Sequence, residues 1–240
     1  MSTLRGDDLH KRYGDREVVR GVSVFVDQGE VVGLLGPNGA GKTTTFYMLT
    51  GIQKPTVGEV RLDDIVIADW PLHERARVGV SYLPQESSVF RRLSVLDNLR
   101  VILEHTGLSR KEQQTKAFSL LEEFRIAHLV NSLAGHLSGG ERRRLEIARA
   151  LIREPKFVLL DEPFAGIDPL AVDDIQSLII GLKDKGIGIL ISDHNVRETL
   201  RICDRAYLMH EGQVIMEGVP KAIVADPKAR RVYLGKEFSL

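Results

Sequence analysis

Val31-Val32-Gly33-Leu34-Leu35-Gly36-Pro37-Asn38-Gly39-Ala40-Gly41-Lys42-Thr43-Thr44 is the stretch that decides the fold. A fully apolar run of strand length enters a glycine-rich loop, and Thr43–Thr50 reads as the helix beyond it, with Gly51 as its C′ residue. Residues 36–43 fit G-x-x-x-x-G-K-[ST]. In that pattern glycines let backbone N–H groups turn inward around phosphate oxygens without Cβ clashes. The helix adds its positive end. Lys42 is placed to reach β- and γ-phosphates, and the Thr43 hydroxyl to bind Mg²⁺.

Upstream, Val22–Asp27 alternates as a half-buried strand and Gln28-Gly29-Glu30 makes a turn. Downstream, Glu59–Ile67 reads as an edge strand. The segment 85–155 is mostly helical. Ser109 and Glu112 form a capping box, and Ala117, Leu120, Leu121 and Phe124 share one face. After Pro155 the α/β alternation returns: Phe157–Leu160 a strand, Ile175–Leu182 a helix, Ile187–Ser192 a strand. Ala206–Met209 and Gln213–Met216 pair across His210-Glu211-Gly212. The reading is one domain of α/β class: a core over 1–84 and 156–240, interrupted by a helical insertion at 85–155.

The 240 residues are enough to bury a sizeable core. Lys plus Arg (33) balances Asp plus Glu (33), which removes the electrostatic case for a nucleic-acid partner. Cys203 is the only cysteine, so no internal disulfide forms. Met1 to Asp15 has no signal-peptide core, and no apolar run approaches the roughly 20 residues that span a bilayer. Work at a membrane requires another chain to supply the span.

Phe157-Val158-Leu159-Leu160-Asp161-Glu162 is an apolar strand ending in two carboxylates, stopped by Pro163. Neighbouring strand residues point to opposite sides, so the two acids serve different purposes. Asp161 is the natural Mg²⁺ partner; Glu162 is free to polarise a water aimed at a γ-phosphate. Further along, Leu137-Ser138-Gly139-Gly140-Glu141 opens a helix running to about Arg153. Ser138 and Glu141 form a capping box. Two consecutive glycines in a first turn cost helix stability, and close approach of a phosphate to bare N–H groups explains them.

Leu-Ser-Gly-Gly-Glu, with the phosphate loop and the acidic strand end, resembles the ATP-binding cassette family over nearly the whole chain. The resemblance implies a P-loop core of RecA-like parallel sheet with an antiparallel β subdomain. It also implies ATP hydrolysis by a head-to-tail homodimer. In that arrangement Ser138, Gly139, Gly140 and Glu141 of one subunit face the phosphate loop of the other. Tyr13 resembles the aromatic that stacks on adenine, and Gly36–Thr44 surround the phosphates. Gln85 resembles the glutamine that touches Mg²⁺ and the attacking water. Asp168 sits where the family has an inter-subunit aspartate, although Ala165-Gly166-Ile167 replaces the usual Ser-Ala-Leu. His194 resembles the γ-phosphate histidine, with Asp193 in place of the commoner Thr.

Val89-Phe90-Arg91-Arg92-Leu93-Ser94-Val95, Asp193–Leu200 and Arg230–Gly235 resemble the ATPases of lipopolysaccharide export. These sit on the cytoplasmic face of the bacterial inner membrane beneath two polytopic membrane subunits, and do not touch the lipid themselves. Phe90 and Arg91 are the candidates for docking a cytoplasmic helix of those subunits; ordinary insertion core is the other reading of Phe90. The branched-chain amino-acid importer ATPases and the soluble iron–sulfur cluster assembly ATPase are the alternatives. DNA-repair and chromosome-organising relatives need long coiled coils that the insertion lacks. The tail Val232–Phe238 reads as packing on its own domain.

Overall fold

The computed structural model describes residues 1–235 and 238; tail positions 236–237 and 239–240 lie outside them. In chain order the elements begin β1 (Thr3–Tyr13), β2 (Arg16–Asp27), β3 (Val31–Leu35), α1 (Lys42–Thr50), β4 (Val57–Leu62), β5 (Ile65–Val66), α2 (Leu72–Arg77) and β6 (Val80–Leu83). There follow α3 (Val95–Leu103), α4 (Arg110–Glu123), α5 (Gly139–Leu151), β7 (Phe157–Asp161), α6 (Pro169–Asp184), β8 (Gly188–Ser192), α7 (Val196–Ile202), β9 (Arg205–His210) and β10 (Gln213–Gly218).

Two sheets form. The larger has the order β10-β9-β3-β8-β7-β6 and is parallel except for the β9–β10 hairpin. Strands β3, β7 and β8 are buried at every position. Both their faces are covered, so they read as unbroken apolar runs and not as alternations. The smaller sheet, β2-β1-β4-β5, is antiparallel. Helix α1 lies between the two: Phe46, Met48 and Leu49 share one core with Leu4, Val22 and Val24 of the small sheet and Val32, Leu34 and Leu159 of the large one. On the other side, Leu99, Leu121, Leu145 and Ile147 of α3–α5 pack with Ile175 and Ile179 of α6 and with Leu160. The parallel core, antiparallel sheet and inserted helices agree with the fold expected from the sequence.

Several boundaries differ. Strand β1 was not anticipated, and β2 starts six residues before the expected Val22. Register shifts and the left-handed Asp8 (φ 48°) break the two-residue alternation there, and the outer face carries charges. The expected single strand Glu59–Ile67 is a hairpin, β4–β5, turned at Asp63 (φ 54°). Helix α6 extends well beyond Ile175–Leu182, and α5 ends at Leu151. The β9–β10 hairpin forms as expected, with Glu211 (φ 47°) and Gly212 (φ 81°) both left-handed, the backbone that a two-residue turn needs. In the tail, Tyr233, Leu234 and Phe238 pack against a core of Leu35, Leu200 and Leu208.

Candidate active site

Four parallel strands, adjacent as β3-β8-β7-β6, release the expected site segments from their carboxyl ends. The phosphate loop leaves β3, Ser192-Asp193-His194 leaves β8, Asp161-Glu162 leaves β7 and Pro84-Gln85 leaves β6. Leu34 pairs with Ser192, Ser192 with Asp161 and Leu160 with Leu83, so the segments emerge at one level. This is the edge at which open α/β sheets place ligands.

In the loop, Gly36 (φ 150°) tolerates no side chain: a Cβ would lie 2.3 Å from the Met209 carbonyl of β9. The β9–β10 turn also ties the loop down, with Gly212 N–H donating to the Ala40 carbonyl at 3.0 Å. Glycine at 36 thus serves close packing on β9 as well as a path for phosphate. Lys42 is buried, and its Nζ donates to the Gly36 and Pro37 carbonyls at 2.7 and 3.0 Å. Burial pushes its ammonium pKa down, while Glu162, Asp161 and Asp193 push it back up.

Helix α1 is fixed at its other end by Arg75 of α2. This guanidinium is fully buried and donates to the carbonyls of Met48 and Leu49 (both 2.7 Å), Trp70 (2.9 Å) and Ala68 (3.0 Å). A cation at a helix C-terminus is favoured by the helix dipole. Burial lowers its pKa to about 10. Nothing local in the sequence marks Arg75, because its partners come from two separate segments, 48–49 and 68–70.

The two acids diverge, though not by strand alternation as expected. Strand β7 ends at Asp161, and Glu162 is left-handed (φ 45°), its N–H held by the Ser192 carbonyl at 2.6 Å. Asp161 stays buried. Its Oδ2 is 3.4 Å from the Tyr82 hydroxyl, and its Oδ1 has no hydrogen-bond partner. Burial raises its pKa. A buried, unpartnered carboxylate oxygen is the hard donor a divalent cation takes, so Asp161 fits the expected Mg²⁺, with Thr43 in the first turn of α1 and Gln85 just beyond β6 at the same sheet edge. Glu162 turns outward: its Oε2 accepts from Gln85 Nε2 at 2.9 Å and lies 3.1 Å from His194 Nδ1. The structure therefore gathers Gln85, Glu162 and His194 around one carboxylate oxygen.

Asp193 has a role the sequence did not disclose. It is fully buried and accepts from the N–H groups of Phe164 (3.2 Å) and Asn195 (2.7 Å), so it ties the Glu162–Phe164 turn to His194. Burial raises its pKa. The Gln85 segment is clamped from α5: Arg143 Nη1 donates to the Pro84 carbonyl at 3.2 Å, and Glu146 accepts from Ser88 N–H at 2.9 Å. Tyr13, at the β1–β2 turn, is 45% exposed, and its hydroxyl donates to Gln53 Oε1.

The Ser138–Glu141 capping box is formed in both directions: Glu141 N–H donates to Ser138 Oγ at 3.3 Å, and Glu141 Oε2 accepts from Ser138 N–H at 2.8 Å. Its glycines also answer to packing within the chain. A Cβ at Gly139 would lie 3.1 Å from the Gly166 carbonyl, and one at Gly140 3.3 Å from Ala171 Cβ. Residues 138–141 line one cavity of about 490 Å³ together with Asp168, and no residue of 36–44 lines it. The structure brings Asp168 to this cap.

Residues 19–165 match the family model described as ABC transporter, and 213–239 match one described as branched-chain amino acid ATP-binding cassette transporter. The chain is 55% identical over 241 residues, covering 100% of both sequences, to the lipopolysaccharide export system ATP-binding protein LptB of Escherichia coli K12. A solved ADP conformation of an ATP-binding cassette of an ABC transporter superposes with TM-score 0.88 at 33% identity, covering 98% of this chain and 100% of that one. A dimeric cassette in a post-hydrolysis state with ADP and Pi gives TM-score 0.79 at 25% identity, covering 90% and 98%. Among the described residues no helix is long and apolar enough to cross a membrane. With that match spanning most of the sequence, and the phosphate loop and acidic strand end at the same edge of one sheet, the protein belongs to the ABC transporter family as an ATP-hydrolysing cassette.

Proposed function

We propose that this cassette powers lipopolysaccharide extraction from the bacterial inner membrane towards the outer membrane. The observation that carries the substrate class is full-length identity of 55% to a protein of that export system. The match to the branched-chain amino-acid family covers 213–239 alone and includes none of the site. The iron–sulfur assembly reading has no observation in its favour.

ATP lies with adenine on Tyr13 and its phosphates on Gly36–Thr44. Lys42 and the loop N–H groups neutralise phosphate charge. Thr43, Asp161 and Gln85 would hold Mg²⁺, which would supply positive charge against the phosphates. Glu162 polarises the attacking water; Gln85 and His194, both on its Oε2, orient it, and His194 faces the charge that develops on the γ-phosphate. The cap at Ser138–Glu141 and Asp168 serve the second copy. That no residue of 36–44 lines the cavity they share, together with the dimeric relative, supports a head-to-tail homodimer.

The segment 85–155 acts as a helical subdomain that relays this cycle to two membrane subunits, with the cassette peripheral on the cytoplasmic face. Phe90 supports that reading: it is 45% exposed, its backbone is gripped by Asn98 (2.8 and 3.1 Å), and Arg149 stacks on its ring at 4.9 Å. Phe90 and Arg91 dock the membrane partner. Glu162→Gln tests the chemistry. It should retain ATP binding, lose turnover by about 10² or more, and accumulate an ATP-bound dimer. Wild-type turnover in that variant removes Glu162 from the role assigned.

A further inference from the structure

We propose that Arg16 is a nucleotide contact that meets the α-phosphate of ATP; the proposal rests on adenine lying at Tyr13 and the outer phosphates at Lys42. Arg16 and Tyr13 are direct partners across the β1–β2 turn. Residues opposite each other in an antiparallel pair project to the same face with Cβ atoms about 5 Å apart. Arg16, Val18 and Arg20 follow at two-residue spacing along β2. All three line a cavity of about 290 Å³ that is also lined by Gly39 of the phosphate loop and by Glu17 and Glu211. A nucleotide running from Tyr13 to Lys42 carries its ribose and α-phosphate over this gap.

The charges in the cavity are unequally committed. Glu17 faces His10 Nδ1 at 3.0 Å and Arg12 at 3.9 Å, and Arg20 Nε donates to the Glu17 carbonyl at 3.3 Å. Among the described residues, the Arg16 side chain makes no hydrogen bond and no ion pair, and neither Glu17 nor Glu211 holds it. A planar guanidinium with uncommitted donors beside a phosphate path suits bidentate recognition of phosphate oxygens. Lys42 cannot serve there, because its Nζ is anchored over Gly36 and Pro37.

The test uses Arg16→Gln, Arg16→Lys and Arg16→Glu in the full chain, with ATP and ADP affinities and steady-state kinetics. Arg16 is exposed and unpartnered, so melting temperatures stay at the wild-type value. Arg16→Gln should weaken ATP and ADP equally, by about fivefold, because both carry the α-phosphate. KM rises and kcat stays. Arg16→Lys should recover part of the loss, as a point charge without the guanidinium fork, and Arg16→Glu deepen it. At about 0.5 M salt the difference should shrink, since an exposed charge is screened. Unchanged affinities in Arg16→Gln overturn the proposal. So does a loss that lysine does not rescue and salt does not reduce, which would mark a distorted Tyr13 platform. Lys42→Ala runs in parallel. If it keeps wild-type ATP affinity, the phosphate-loop reading itself fails; if it loses ATP while Arg16→Gln does not, only the Arg16 assignment fails.

Discussion

Replacing Asp193 with alanine separates the chemistry of Glu162 from the scaffold that aims it. The carboxylate is fully buried and holds Phe164 N–H at 3.2 Å and Asn195 N–H at 2.7 Å. Alanine strands the buried Phe164 donor, which costs about 1–3 kcal/mol, and leaves Asn195 to solvent. Removing a buried charge offsets part of this, so the net loss is about 2 kcal/mol. For a chain of this size that lowers Tm by about 4–8 °C. The Glu162–Phe164 turn then loses its tie to His194, and kcat should fall about tenfold with ATP affinity nearly unchanged. Burial holds the Asp193 carboxyl above its ordinary range. Over that window the native state keeps a proton that the unfolded chain has released. The contribution to stability is present below the unfolded-state pKa and lost as pH rises through the folded one. The Tm deficit of the alanine variant is therefore largest at acid pH and narrows towards neutrality. Melting curves from acid to neutral pH, with single-turnover ATP hydrolysis, measure both effects. A variant within about 1 °C and twofold of wild type refutes the tether.

Tyr82→Phe removes the hydroxyl 3.4 Å from Asp161 Oδ2 while keeping the ring edge-on to Tyr47 of α1. The Mg²⁺ concentration for half-maximal nucleotide binding should rise about threefold with Tm unchanged, and an unaltered Mg²⁺ requirement removes Tyr82 from any part in orienting Asp161. Phe90→Ala keeps the Asn98 bonds to the backbone and deletes only the exposed ring. ATPase activity of the isolated cassette should persist while co-purification with membrane subunits falls, and full co-purification assigns docking elsewhere.

Legibility followed the range of each interaction. The phosphate loop, the acidic strand end and the Ser138–Glu141 cap were readable because each is a local pattern: consecutive residues whose backbone demands show in their composition. The fully buried strands were readable for the same reason. β1 and the β4–β5 hairpin were harder, because bulges and left-handed Asp residues interrupt the alternation that marks a strand. Strand alternation also misjudged Glu162, since the divergence of the two acids comes from a left-handed turn fastened to Ser192 on the neighbouring strand.

By itself the sequence determined which short segments exist and what each can hold, since Gly36–Thr44 or Asp161-Glu162 carry their chemistry within a few consecutive residues. The tertiary structure alone decided how those segments meet. Strand order β3-β8-β7-β6 sets Gln85, Glu162 and His194 around one oxygen, although 109 positions separate the first from the last. Asp193, Arg75, Arg143 and Arg16 gain their meaning only there. Each acts on backbone or space supplied by distant segments, and sequence spacing carries no record of such contacts until the chain has packed.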